Sequence, residues 1–210
     1  MTRLGFIWAR LRQDEAALRQ LSEPIDAALA DARVALVGNA RSLARSRLGP
    51  QIDAADIVIR INAAPLPSPH SHGLRTDWLA ISTPVPRAIL ADRAPKRILW
   101  ITPRRKRLPW RIARTPGFHL HPRAEAEALR TAIGARPTTG LMMIDKLLRS
   151  NCAKVDLYGF DFFGSLSLSG SRGPGRVPHD FDAERAWVGA ALERDPRLSL
   201  HRTRETVSAP

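Results

Sequence analysis

Cysteine occurs once in these 210 residues, at Cys152, and a single thiol cannot close an intrachain disulfide. A disulfide-stapled secreted scaffold is thereby excluded and a reducing compartment is expected. Long apolar runs are missing as well. Nothing approaches the roughly eighteen residues that a spanning helix needs. The opening Met1-Thr-Arg-Leu-Gly-Phe-Ile-Trp-Ala-Arg10 is too short and too interrupted for a signal h-region. These absences lead to the expectation of a cytoplasmic protein. Internal repeats are absent too. What is present is 44% hydrophobic residues, enough for the core of one α/β domain of this length.

Acids are outnumbered, 20 Asp and Glu against 33 Lys and Arg, which gives a net charge of +13. The excess is concentrated. Between Arg87 and Arg123 eleven Lys and Arg stand against one acid, Asp92, a local excess of +10. Within it Arg104-Arg105-Lys106-Arg107-Leu-Pro-Trp-Arg111 combines a basic cluster with an aromatic. Such a segment suits nucleic acid, an anionic membrane face or an acidic glycan, and equally a solvated loop after a strand. The Arg- and Ala-heavy composition suggests a bacterial source.

Hydrophobic patterning divides the chain into an N-terminal amphipathic helical segment, 1–32, and a single domain, 33–210. In the first, Leu4, Ile7, Trp8, Leu11, Leu18 and Leu21 fall on a helical period that Pro24 breaks. A packing helix is expected there rather than a membrane anchor. In the second, strands are expected near 33–38, 56–61, 77–82, 97–102 and 154–159, separated by helical stretches and Pro/Gly punctuation. That alternation predicts a Rossmann-like α/β fold, a mostly parallel sheet with helices on both faces. Ala124-Glu-Ala-Glu-Ala-Leu-Arg130 is a strong helix former, and Leu141, Ile144, Leu147 and Leu148 fall on one side of a helix after Gly140. Gly164–Pro178, rich in Ser, Gly and Pro, has almost nothing to bury and is expected to be of low order.

The first strand, Arg33-Val-Ala-Leu-Val-Gly38-Asn39, and the second, Asp56-Ile-Val-Ile-Arg-Ile-Asn62, each end in Asn. Nucleotides bind at the C-terminal ends of parallel strands, and a carboxamide offers both the donor and the acceptor that a base edge requires. Taken singly, either Asn reads equally well as a turn or capping residue. Thr138-Thr139-Gly140 places hydroxyls at the start of the next helix, where unpaired backbone N–H groups make an anion site or an ordinary N-cap. Tyr158 and Gly159 end the fifth expected strand on the same sheet edge.

The long segment from Val34-Ala-Leu-Val-Gly-Asn-Ala-Arg-Ser-Leu through Leu48-Gly-Pro-Gln-Ile-Asp-Ala-Ala-Asp-Ile-Val-Ile-Arg-Ile-Asn-Ala-Ala-Pro65 resembles the large sialylmotif of the family 29 glycosyltransferases, the sialyltransferases. Arg136-Pro-Thr-Thr-Gly-Leu141 leading to Val155-Asp-Leu-Tyr-Gly-Phe160 resembles the short motif, and His179-Asp-Phe-Asp-Ala-Glu184 the very short one, in the family's order. The resemblance spans residues 33 to 187. It implies a fold of the GT-A-variant type, donor contacts from Gly38, Asn39, Asn62, Thr138, Thr139, Gly140, Tyr158 and Gly159, and a catalytic pair of His179 and Glu184. His179 would be the base for the acceptor hydroxyl, a role its ordinary pKa suits. No metal and no cofactor beyond the CMP-sugar substrate is implied.

Departures from the family pattern are equally readable. The position that would pair with Cys152 in secretory-pathway members holds Val34. The family's third motif, an aromatic-flanked His, has no counterpart in Gly164–Pro178, where Arg172 or Arg176 would have to supply the positive charge for the donor phosphate. His119-Leu-His121 reads as a strand or loop pair rather than a metal site. The function expected is inverting transfer of a CMP-activated 2-keto sugar acid, sialic acid or a relative such as Kdo. The acceptor expected is a glycan or glycolipid of a bacterial envelope, lipopolysaccharide or capsule. Arg104, Arg105, Lys106 and Arg107 would touch an anionic membrane peripherally, at the inner face. The competing expectation is a basic protein that binds nucleic acid or anionic surfaces and keeps the fold without catalysis.

Overall fold

Continuous burial along each apolar run produces a sheet covered on both faces. The computed structural model describes residues 1–161 and 179–201. Seven strands form one sheet: β1 Arg33–Val37, β2 Ile57–Ile61, β3 Trp78–Ile81, β4 Arg97–Trp100, β5 Phe118–Leu120, β6 Lys154–Tyr158 and β7 Leu198–His201. Their order is β5-β4-β3-β2-β1-β6-β7, and every pairing is parallel. The chain builds outward from β1 to β5 and then returns to the other side of β1. The β1/β6 boundary is therefore the topological switch point, where the C-terminal strand ends leave room for a ligand.

Val34 and Leu36 of β1, Ile59 and Ile61 of β2, and Val155 and Leu157 of β6 face one core. The helices Asp26–Leu29, Arg123–Ile133, Thr139–Leu148 and Phe181–Arg194 supply its other wall. The alternate residues look the opposite way. Ala35, Val37, Val58 and Tyr158 meet Leu43 and Ile52, while Leu79, Ile81, Ile98 and Trp100 meet Phe6, Leu18 and Ile112. Burial on both faces explains why these strands are near-continuous Val/Ile/Leu runs.

Five strands lie where the apolar runs predict them. β7 has no such signal, because only Leu198 of its four residues is fully buried. The helix Thr139–Leu148 departs from the expected one-sided pattern: every residue from Thr139 to Leu147 is buried, Asp145 and Lys146 included. Asp145 is paired with Arg149 at 2.8 Å and Lys146 with Asp26 at 3.0 Å.

The N-terminal segment forms the helices Arg3–Arg12 and Glu15–Arg19 and the short turn Asp26–Leu29. Its inward face is not the expected stripe. Phe6, Ala9 and Leu18 are buried, whereas Leu4, Trp8 and Leu11 stand 72%, 60% and 53% exposed. Phe6 decides the orientation, because its ring meets Trp110 with centroids 5.1 Å apart. Arg105, read from the sequence as part of a surface cluster, is also corrected. It is fully buried and forms a two-pronged pair with Glu15, at 2.7 Å on each oxygen, with a further bond to the Thr102 carbonyl. A buried guanidinium needs such pairing, so only Arg104, Lys106 and Arg107 remain at the surface.

Candidate functional site

Gly38 and Gly159 bring the ends of β1 and β6 together at the switch point. The Gly38 amide donates to the Tyr158 carbonyl at 2.7 Å, and the Ala40 amide to the Gly159 carbonyl at 3.1 Å. A Cβ on Gly38 would lie 2.4 Å from the Gly159 oxygen, and one on Gly140 would lie 2.8 Å from the Phe160 ring. Gly159 has φ +67, a conformation that favours glycine. All three glycines thus let backbone and the Phe160 ring approach closely. Asn39 follows directly and is half-buried.

Asn62 ends β2 at φ +52 and is half-buried. Its Oδ1 accepts from the Ser82 amide at 3.0 Å, fixing the side chain across the ends of β2 and β3. The Ser82 hydroxyl meets the Thr139 hydroxyl at 2.6 Å. Arg93 supports the same turn from behind, donating to the Asn62 carbonyl at 3.4 Å and to the Ala64 carbonyl. Ser82 and Arg93 have no sequence signal, because neither lies in a motif: Ser82 reaches the site through the β2–β3 pairing and Arg93 from the end of the helix Arg87–Arg93.

Thr138 caps the helix Thr139–Leu148, accepting at its hydroxyl from the Leu141 amide at 3.1 Å. The same hydroxyl donates to Glu184 Oε2 at 2.8 Å, and the Thr138 amide donates to Oε1 at 2.7 Å. Glu184 is 3% exposed. Burial pushes its carboxyl up to about 7, although the Thr138 hydrogen bonds pull the other way. The sequence reading takes Glu184 as catalytic; in the structure both oxygens of its carboxyl are engaged by Thr138 and hold the helix start. Thr138 is drawn with it into structure, leaving Thr139 and Gly140 nearest the helix start.

His179 precedes the helix Phe181–Arg194, which Asp180 caps by accepting from the Asp182 and Ala183 amides. The half-buried imidazole places Nδ1 2.7 Å from the Arg136 carbonyl. A carbonyl only accepts, so Nδ1 carries the proton and Nε2 keeps its lone pair. Burial lowers the His179 pKa from 6.5, the Arg136 hydrogen bond opposes that, and the Arg136 and Arg104 charges add to the lowering. The ring is therefore neutral at neutral pH.

One hydrogen-bonded path thus runs from Asn62 through Ser82 to Thr139, and from its neighbour Thr138 to Glu184 in the His179 helix. His179 returns to Arg136, two residues before Thr138. The structure separates Tyr158 from this group. Its ring is 2% exposed and stacks on His201 with centroids 4.4 Å apart, and burial raises its pKa to about 12. Only its backbone belongs to the edge. His119 and His121 are buried, with pKa values lowered by burial to about 4 and about 3. His119 Nδ1 bonds the Glu23 carbonyl at 2.9 Å. Gly164–Pro178, with Arg172 and Arg176, lies outside the described residues apart from what the sequence says of it.

Comparison with known proteins bears on the same residues. The sequence profile of glycosyltransferase family 29 (sialyltransferase) matches residues 9–91, the part that holds Gly38, Asn39 and Asn62. No curated protein matches the chain. Among solved structures, a mammalian sialyltransferase superposes with a TM-score of 0.65 at 21% identity, covering 94% of this chain and 79% of that one. A mammalian sialyltransferase in complex with Gal-beta-1-3GalNAc-ortho-nitrophenol superposes at 0.63 and 21% identity, over 94% of this chain and 85% of that one.

Proposed function

We propose that this chain, whose residues 9–91 match the profile of glycosyltransferase family 29, acts as a glycosyltransferase of that kind and transfers sialic acid or a related 2-keto sugar acid such as Kdo from its CMP-activated form to a glycan hydroxyl. The observation that carries this reading is the hydrogen-bonded path from Asn62 to Thr139 and from Thr138 to the His179 helix. It ties the strand-end carboxamide of Asn62 to a neutral imidazole at one end of the sheet. Asn39 and Asn62 read the cytosine and ribose edges, and the Thr139-Gly140 helix start faces the phosphate. His179 Nε2 takes the proton of the acceptor hydroxyl as its oxygen bonds to C2 of the sugar acid. The C2–oxygen bond to CMP breaks on the opposite side, inverting the centre. The phosphate leaves with the electron pair.

The acceptor proposed is a bacterial envelope glycan or glycolipid, reached from the cytoplasm. Peripheral contact with an anionic membrane falls to Lys106, Arg107 and the exposed stripe of the helix Arg3–Arg12. Arg105 is excluded by its burial.

Substitution of His179 tests the reading. His179→Ala is expected to bind CMP as the unsubstituted protein does and to lose about 10²–10⁴-fold in transfer. In the unsubstituted protein the rate should fall on the acid side, below the ordinary imidazole value of 6.5 because the group's pKa is lowered. That limb should vanish in the variant. Transfer by His179→Ala at the original rate would overturn the assignment. Salt separates the competing class: CMP binding should survive high salt, whereas phosphate-backbone binding falls steeply.

A further inference from the structure

A pocket of about 470 Å³ is lined by Arg136, the residue whose carbonyl holds His179 Nδ1, and not by Asn39 or Asn62. Four of its lining residues are arginines, Arg104, Arg123, Arg130 and Arg136, against one acid, Glu127. Glu127 is already engaged by Arg130 at 2.7 Å. Arg123 leans on the Gln13 amide oxygen at 3.3 Å, and its buried Nε has no partner among the described residues. Among those residues neither Arg104 nor Arg136 has a carboxylate within ion-pairing distance. The charges acting on Arg136 are Arg104 and Arg107, both like its own. Arg136 is half-buried with only like charges acting on it, a placement that an anion joining it would relieve.

The Arg104 side of the pocket stands apart from the strand end that carries Asn62. Arg104 follows β4, which is two strands from β2, so roughly 10 Å along the sheet edge lies between them at the usual strand spacing. That is on the order of a sugar ring. Arg136 links the two places, since its carbonyl receives His179 Nδ1 while its side chain lines the pocket. A group bound there would lie against the residue that holds the imidazole.

We infer that this pocket is an anion subsite for the acceptor, and that the acceptor is a sugar carrying a phosphate or carboxylate close to the hydroxyl that reacts. The inference deepens the proposed function and rests on it. Arginine forks pair with both anions through two parallel hydrogen bonds. A neutral acceptor gives these charges nothing to meet.

Calorimetry on the full chain saturated with CMP tests this, using galactose, galacturonic acid and galactose 6-phosphate as probes. The acidic sugars are expected to bind about tenfold or more tightly than galactose, with the advantage shrinking as salt rises. Whichever acid binds more tightly identifies the anion. In R104Q/R136Q the advantage should fall to within about threefold while CMP affinity holds within the same factor. Should the double variant not fold, R104Q alone, at an exposed position, should lose part of the advantage. Three sugars binding alike, or none in the millimolar range, would overturn the subsite. A parallel loss of CMP affinity would assign the pocket to the donor and overturn it too. Failure of the unsubstituted chain to bind CMP would overturn the proposed function instead, and the acceptor role with it.

Discussion

Both carboxyl oxygens of Glu184 are taken up by Thr138, one by its amide and one by its hydroxyl, and this decides which substitutions the site tolerates. Glutamine reproduces both contacts, accepting from the amide and donating to the hydroxyl. Glu184→Gln is therefore expected to keep transfer within about threefold. Glu184→Ala leaves a buried amide unpaired and should cost about 1–3 kcal/mol of stability along with most of the activity. Steady-state transfer and denaturant unfolding check both. A folded Glu184→Gln as inactive as the alanine variant would return the carboxyl to a catalytic role. The pH dependence has a definite sign. The folded pKa, about 7, lies above the unfolded 4.5, so the protonated group favours folding at low pH. That contribution is lost as pH rises through about 7. Relative to the unsubstituted chain, Glu184→Gln should therefore gain stability between pH 4.5 and 7. Sequence alone separates such roles poorly. His179, Thr139 and the two Asn residues were legible because they sit in motifs or at strand ends. The direction in which Glu184 faces, and the presence of Ser82 and the Arg136 carbonyl, depend on which distant elements lie side by side.

At the scale of elements the site depends on how closely β1 and β6 approach. Gly38→Ala would place a methyl 2.4 Å from the Gly159 carbonyl, a backbone atom that cannot rotate away. The expected cost is about 1–3 kcal/mol, with weaker CMP binding because Asn39 moves with the strand end. Gly189 provides the contrast. It lies inside the helix Phe181–Arg194 with nothing within 4 Å of an added Cβ. Gly189→Ala should raise stability by about 0.5–1 kcal/mol through helix propensity. Thermal unfolding of the two variants checks both signs, and a neutral Gly38→Ala would remove the close approach as a requirement. Elements with continuous apolar runs, β1 to β4 and β6, could be read from sequence because both their faces are buried. β5 and β7 are short edge strands whose pairing depends on neighbours rather than on their own pattern. In the helix Arg3–Arg12, Leu4, Trp8 and Leu11 form one apolar stripe while Phe6 and Ala9 lie on another side. Periodicity finds the helix, but tertiary packing chooses the face.

At the scale of the whole molecule, that choice leaves an apolar stripe next to basic charge. Leu4, Trp8 and Leu11 occur at helical spacing and are all more than half exposed. The Arg12 guanidinium lies 5.4 Å from the Trp8 ring centroid. The helix adjoins the 105–107 segment, and Arg10 donates to the Leu108 carbonyl at 3.3 Å. Exposed Lys106 and Arg107 therefore belong to the segment that adjoins this helix. No helix among the described residues is long and apolar enough to cross a membrane. Under the peripheral contact proposed above, the Leu and Trp face of this short helix would lie in the headgroup region, where apolar burial and attraction to anionic lipid act together. Co-sedimentation with vesicles of phosphatidylglycerol and phosphatidylcholine checks this arrangement. Binding is expected at low salt and should weaken as phosphatidylglycerol is replaced. L4S/W8S/L11S should reduce it about tenfold or more at any salt. K106E/R107E should reduce it mainly at low salt, at about 1 kcal/mol per charge. CMP affinity should hold in both variants, because neither set of residues belongs to the nucleotide end. Vesicle binding unchanged by both variants would remove this face as the contact.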